Sequence, residues 1–392
     1  MFRKRLSYKE IVVVFFFIIL SFFYIYMCVI YPYKWQRTFF KIEQIYSKYH
    51  IVCNDGAPSW MNEFLEKNIK DNKILGNQLI YIDKKKIVYH CESPTGILNV
   101  DKMSVKTLFR YGSNTKPITA AYILKLIEEK KIRLDTSLSE IFPELNNGKI
   151  RDPRILKVKI INLLQHSSGF DRMLSKDVMF EEDSTPWCPY SIDKLKNQVL
   201  DFYPGQYSAY DNRNSCLLGM VIERISGKKY REAISQEFNL KMRNINFSNG
   251  PYVKNEVKYN FLYNEYRFED YYKKFDFYAL SSSAGLIGNA YSLAILLDDI
   301  VRDDKYNKFL ALTEKDVLCG KKNSEECFNY SMNVLRKYNN SFQFKYGNLP
   351  SSSSFSLINK NKEIVVWMGN AERLDYRFKF EVFIADKIYL SN

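Results

Sequence analysis

The sequence predicts an α/β protein of the α+β kind: an antiparallel sheet flanked by helices, a mostly helical lobe, and one N-terminal transmembrane helix. Three observations carry this. Ile11–Tyr33 is a run of 23 residues without a charge. Short alternating or apolar segments that read as strands lie near the two ends of the remaining chain. Between them, from about 150 to 280, the pattern gives helical pieces and loops. The chain therefore divides into a cytoplasmic stretch 1–10, a membrane span 11–33, a stalk 34–58 and a domain 59–392, with the helical lobe at about 150–280.

As a helix the apolar run is roughly 34 Å long at about 1.5 Å per residue, enough to cross a bilayer core. Arg3, Lys4, Arg5 and Lys9 precede it more densely than Lys34, Arg37 and Lys41 follow it. That asymmetry predicts the N-terminus inside and the domain on the periplasmic or extracellular side of the cell membrane. Tyr24, Tyr26, Tyr31, Tyr33 and Trp35 crowd the outer end, as an interfacial belt does. A cleaved signal peptide is the competing reading. It requires a shorter apolar region and a small-residue cleavage site, and none follows the run.

Composition is that of a globular chain: 46% hydrophobic and 26% charged. That excludes disordered and fibrous classes. A net charge of +14 favours anionic surroundings. No zinc-finger or RNA-binding spacing organises the aromatic residues, so no nucleic acid is expected as a partner. The three histidines, His50, His90 and His166, are far apart, and no C-x-x-C exists, so no metal site is expected. Outside the apolar run stand six cysteines, which allow 15 connectivities. Cys53 and Cys91 are suited to clamp the start of the domain, and Cys319 and Cys327 to close a small loop. Cys188 and Cys216 read as free buried thiols.

Within the domain, Ser59–Lys70 has helical spacing. Gln78–Asp83 and Ile87–Cys91 flank three lysines as a hairpin. Leu108–Tyr111 is a short apolar strand. Thr115–Lys131 is a strong helix with a wide apolar face, and Leu217–Ile225 another. Ser341–Tyr346, Phe355–Asn359 and Ile364–Met368 read as three successive strands. Tyr376–Leu390 favours helix over strand. Ser351–Ser354 is too short to be a low-complexity region.

For chemistry, G-x-S-x-G and Walker loops are absent. Ser113-Asn114-Thr115-Lys116 stands out instead. On a helix, a lysine three residues after a serine returns to the same face and reaches the hydroxyl. A serine at a helix start also turns its own N–H outward, ready for an oxyanion. Such a pair activates serine without histidine. S-x-x-K recurs at Ser191–Lys194 and Ser226–Lys229, but only Ser113 lies between a short strand and a long buried helix. Taken alone it would be a helix cap.

LFRYGSNTKPITAAYILKLIEEKKIRLDTSLSEIFP resembles the nucleophile region of class C β-lactamases and the related penicillin-binding proteins, D-aminopeptidases and esterases. Ile160–Phe170 (IINLLQHSSGF) is similar to that family's leucine-histidine-threonine-serine-glycine stretch. Tyr203–Tyr230 resembles its second catalytic box, with Tyr210-Asp211-Asn212 at the Tyr-x-Asn position. Ser281–Ala294 resembles its glycine-rich return to the sheet. The resemblance covers about 60–392. It implies a serine hydrolase with Ser113 as nucleophile, Lys116 and Tyr210 moving the proton, and no cofactor. His166 is read as a hydrogen-bonded turn residue.

At the third box the chain departs from the family. Where Lys-Thr-Gly or His-Ser/Thr-Gly is expected stands Phe344-Lys345-Tyr346-Gly347-Asn348-Leu349-Pro350. The preferred register is Lys345-Tyr346-Gly347, which keeps the cation and the glycine. The alternative puts Asn348 in the histidine position. Asn212, Lys345, Gly347 and Asn348 are the expected substrate-binding residues. In either register the small hydroxyl that holds a substrate carboxylate is missing, so weak β-lactam recognition and better turnover of small neutral esters are expected. The reading is a membrane-anchored hydrolase acting through an acyl-enzyme on a cell-envelope glycopolymer, ester or peptide. The alternatives are a non-catalytic binding or scaffold protein of the same fold, and an acyltransferase.

Overall fold

The computed structural model describes residues 7–27, 32–97, 103–261, 272–310, 317–321 and 327–390. Its strands are β1 Val52–Cys53, β2 Asn77–Ile82, β3 Val88–Ser93, β4 Phe109–Arg110, β5 Asn246–Phe247, β6 Leu286–Gly288, β7 Leu318–Cys319, β8 Cys327–Asn329, β9 Met332–Lys337, β10 Asn340–Leu349, β11 Ser352–Asn359 and β12 Ile364–Gly369. Its helices are α1 Tyr8–Ile25, α2 Pro32–Tyr49, α3 Ser59–Lys67, α4 Lys116–Glu128, α5 Leu138–Ile141, α6 Ile160–Leu164, α7 Asn212–Ser226, α8 Tyr230–Glu237, α9 Ala290–Arg302 and α10 Phe380–Leu390. Among the described residues nine strands form one sheet, ordered β1-β3-β2-β12-β11-β10-β9-β8-β7, and three form a second, β4-β6-β5. Paired strands in both run antiparallel.

The two ends of the domain meet inside the large sheet. The β2–β3 hairpin, from early in the chain, pairs with β12, from its end, in a register that sets Leu79 opposite Trp367. The Trp367 indole N–H donates to Asn77 Oδ1 at 2.9 Å. Side-chain alternation then assigns each residue a face. Phe355, Leu357, Val365 and Trp367 pack toward α3 and α10, where Phe64 and Phe380 sit with ring centroids 4.8 Å apart. Ile358, Ile364, Val366 and Met368 pack on the opposite face with α4, α7 and α9. Helix α4 is buried from Lys116 to Leu124 without interruption. It is a core helix between the sheet and the helical lobe, apolar nearly all round.

The 11–33 span is described only in part, and two other expectations need correction. Helix α1 is Tyr8–Ile25, 18 residues with none buried, opened by Ser7 and Glu10 capping each other. At about 1.5 Å per residue it is roughly 27 Å long. Helix α2 is described from Pro32, and positions 28–31 lie outside the described residues. First, the stalk expected at 34–58 is largely structured. In α2, Phe40, Gln44 and Ser47 recur at helical spacing on one face. Phe40 is buried with Ile69 and Leu75, Gln44 donates to the Ile69 carbonyl at 2.6 Å, and Ser47 to that of Pro94 at 2.9 Å. Second, Cys188 and Cys216 are joined in a disulfide, as are Cys53–Cys91 and Cys319–Cys327. The Cys188–Cys216 link ties an irregular segment to α7.

Other elements fall close to their expected places. The hairpin, the three late strands and the final helix are present, and the strand at Leu108–Tyr111 shrinks to the two residues of β4.

Because Trp367 links the two chain ends, Trp367→Ala in the full-length protein should cost about 3–5 kcal/mol and Trp367→Phe clearly less. Urea unfolding followed by fluorescence reads this. A loss for Trp367→Ala below about 1 kcal/mol would remove the aromatic cluster from its place in the fold.

Candidate active site

Between β4 and α4 the chain makes a tight 3-10 turn, Gly112–Thr115. With about three residues per turn, side chains three apart eclipse. Ser113 and Lys116 are therefore superposed, and Lys116 Nζ lies 3.0 Å from Ser113 Oγ. The long helix expected from Thr115 begins at Lys116, so the pairing belongs to the tighter turn. Gly112 has φ +51°, and a β-carbon there would lie 3.1 Å from the Asn348 nitrogen. A β-carbon on Gly347 would overlap the Tyr111 carbonyl and Ser354 Oγ and lie 3.0 Å from the Ser113 nitrogen. The two glycines let β10 lie flush against the serine turn.

A serine and asparagine lattice holds the turn on the sheet. Asn114 Nδ2 donates to Ser354 Oγ at 2.7 Å, Ser356 Oγ donates to Asn114 Oδ1 at 2.6 Å, and Ser354 Oγ donates to the Tyr111 carbonyl at 2.6 Å. Ser354, the last residue of the Ser351–Ser354 run, thus anchors the turn.

Lys116 is wholly buried. Its Nζ lies 2.7 Å from Asn212 Oδ1 and 2.9 Å from the Ser283 carbonyl, besides Ser113. A carbonyl and an amide oxygen only accept hydrogen bonds. A neutral amine gives its two N–H groups to them and turns its lone pair to the Ser113 hydroxyl. Burial, followed by the charge of Lys345, holds the ammonium well below the usual lysine range. The neutral form is thereby favoured.

Tyr210 Oη lies 2.6 Å from Ser113 Oγ. Burial pushes its phenol up to about 12, against the hydrogen bond from Ser113 and the Arg172 charge. Lys345 Nζ and Arg172 Cζ stand 4.7 and 4.6 Å from its ring centroid. The His166 ring packs 4.7 Å away, and its Nδ1 meets the Asp211 amide at 3.3 Å. His166 is a buried positioning residue, in keeping with its sequence reading.

Asn212 opens α7, which Asp211 caps. Its Oδ1 faces Lys116 and its Nδ2 donates to Asp177 Oδ2 at 2.6 Å. Both ends of the amide meet protein groups, so Asn212 positions Lys116, and the residue also lines the cavity. In β10, alternation sends Lys345 to Tyr210 and Tyr346 to the opposite face. Tyr346 Oη donates to Glu381 Oε2 at 2.6 Å. Lys345 is the cation beside Tyr210. Asn348 has an exposed side chain at the cavity wall.

Ser113, Tyr210, Asn212, Lys345 and Asn348 line one cavity of about 1130 Å³. Ser191 and Ser226 lie elsewhere, Ser226 accepting from the Lys228 amide at 3.2 Å. Sequence reading missed Arg172, Asp177 and Arg373 in this wall, and the Ser283 carbonyl beneath it. None belongs to a recognisable box; tertiary folding alone collects them. Among the described residues no cluster of His, Cys, Asp and Glu is set to hold a metal ion.

A family model described as Beta-lactamase matches residues 61–347. The chain belongs to the β-lactamase family. A relative, "Probable fimbrial assembly protein FimD, serogroup H1" of Dichelobacter nodosus, is 31% identical over 305 residues, 77% of this chain and 76% of its own. The D-stereospecific amidohydrolase from Streptomyces sp. superposes with TM-score 0.63 and 18% identity over 84% of this chain and 98% of its own. The D-amino acid amidase from Ochrobactrum anthropi SV3 complexed with L-phenylalanine gives 0.64 and 16%, over 85% and 98%. At these identities the structures establish the β-lactamase-family fold.

Gly347→Ala should push β10 off the serine turn. Displacements of this size at a reacting centre cost about 100-fold. Covalent labelling of Ser113 by a fluorophosphonate should slow by about that factor. Unchanged labelling would show that the close approach of β10 is not needed.

Proposed function

We propose that the protein is a membrane-anchored, outward-facing serine hydrolase that acts through an acyl-enzyme on an ester or amide of the cell envelope. The observation that carries the reading is Ser113 Oγ held at 3.0 Å from Lys116 Nζ and 2.6 Å from Tyr210 Oη. Environments that push a lysine down and a tyrosine up divide base from acid. Neutral Lys116 takes the Ser113 proton as Oγ attacks the carbonyl carbon. Tyr210, protonated, gives its proton to the leaving group and recovers one from the Lys116 ammonium. The N–H groups of Ser113 and Asn348 hold the oxyanion, and Lys345 steadies Tyr210. Water, activated by the same pair, releases the acyl group from Ser113. Helix α1 would hold this site near the membrane surface, and the charge asymmetry around it supports a domain outside the cytoplasm.

Ser113→Ala should abolish turnover and probe labelling, a loss of about 10⁴-fold or more, with the thermal midpoint kept. Ser191→Ala and Ser226→Ala should do neither. Retained turnover in Ser113→Ala would end the mechanism.

The pH profile follows from the two shifts. Activity requires the neutral amine, so kcat/KM should rise with pH through the lowered Lys116 value. It should then stay level until the Tyr210 phenol ionises near 12. A falling limb below about pH 9 would contradict Tyr210 as the acid.

Orientation is read separately. A reporter active only outside the cytoplasm, fused after Asn392, should be active, and an inactive one would reverse the topology.

A further inference from the structure

Helix α2 carries an apolar stripe that the domain leaves uncovered. On a helix, positions 42, 45 and 49 share one face, and 40, 44 and 47 the opposite one. The second face is docked. Phe40 packs with Ile69 and Leu75, while Gln44 and Ser47 donate to the Ile69 and Pro94 carbonyls. The first face is open: Ile42 is 50% exposed, Ile45 58% and Tyr49 80%. Arg37, Lys41 and Lys48 are exposed along one flank of this stripe. Lys48 also reaches Glu66 of α3 at 3.0 Å, with both side chains still open to solvent.

Two observations point to what covers the stripe. The first is the tether. Helix α1 ends at Ile25 and α2 is described from Pro32, so the six residues 26–31 connect them. Fully extended, such a connection reaches no more than about 25 Å. None of the six is charged. Helix α1 is apolar, and none of its residues is buried by the domain. With α1 across a bilayer, α2 starts within reach of the headgroups. The second observation is chemical. A helix with isoleucine and tyrosine on one face and basic residues beside them has the make-up of one that lies in a membrane interface. The net charge of +14 suits anionic headgroups. A second copy of the chain fits less well. Three side chains offer far less than the roughly 800 Å² that a stable protein interface takes from each partner.

We propose that α2 is an interfacial helix that seats the domain on an anionic lipid surface, with Ile42, Ile45 and Tyr49 in the headgroup layer and Lys41 and Lys48 against the headgroup charge. The inference rests on the membrane-anchored reading above and deepens it. Anchoring by α1 alone would leave the domain free to turn on its connection. The opposite face of α2 is fixed to the domain, so seating α2 gives the Ser113 cleft one orientation over the membrane.

The test places a tryptophan on the stripe. Full-length Ile45→Trp is reconstituted in vesicles of phosphatidylcholine with phosphatidylglycerol, with and without bromine on the upper acyl chains. Tyr203→Trp is the control. Tyr203 is exposed and lies close in sequence to Ser208, whose N–H donates to the Cys319 carbonyl on β7. Strand β7 is the edge of the large sheet opposite β1, the strand that follows α2. Subtracting the wild-type spectrum isolates the added tryptophan. Bromine should remove about half of its emission at position 45 and leave position 203 unchanged. No quenching at 45, or equal quenching at both positions, overturns the proposal. Adding Ile42→Asp to Ile45→Trp should cut the quenching by about threefold or more with the thermal midpoint kept. Replacing phosphatidylglycerol by phosphatidylcholine should weaken it as well. If neither change lowers it, the stripe is not what meets the lipid and the proposal falls. Retention in the vesicles under alkaline carbonate reads α1 separately. A chain that carbonate strips off ends the anchored reading, while quenching at 45 before the wash still supports α2 and its absence still overturns it.

Discussion

One lysine in the dry interior is the constraint on which the rest of the site depends. An ammonium buried without a counter-ion is expensive, and the usual outcome is neutralisation. The protein meets that cost at Lys116 with two acceptors, Asn212 Oδ1 and the Ser283 carbonyl, and directs the remaining valence at Ser113. Asp177 fixes which way the Asn212 amide points. The unbroken burial of α4 around Lys116 keeps the amine desolvated, which disfavours its charged form.

The sheet supplies the second half of the geometry. Strand β10 presents Lys345 to Tyr210 and turns Tyr346 away because successive side chains alternate. Gly112 and Gly347 let that strand touch the serine turn. The same alternation assigns Ser354 and Ser356 to the turn and Phe355 to the aromatic core. Site and core are opposite faces of the same strands, so a change in strand register would disturb both at once.

Much of this was legible in the residues. The strand–serine–helix context singled out Ser113 from two decoys, and the ordered boxes pointed to Lys116, Tyr210 and Asn212. The hairpin, the late strands and the last helix followed from alternation and periodicity. Helix α2 was missed although Phe40, Gln44 and Ser47 carry its spacing, because lysines and tyrosines interleave with them. The Cys188–Cys216 pair was missed because pairing depends on where the chain folds back.

By itself, then, the sequence determined the apolar N-terminal segment and the family, and it singled out Ser113, Lys116 and Tyr210, which the fold brings together. These are local properties: an uncharged run, a three-residue spacing, short boxes in order. Only the tertiary structure decided that Asn212 meets Lys116 and Asp177, that Tyr346 faces the aromatic core, and that Arg172, Asp177 and Arg373 share the cavity. Those facts depend on which elements pack together. A side chain's protonation and partners are set by the groups brought around it, and residues far apart in the chain carry no mark of that meeting.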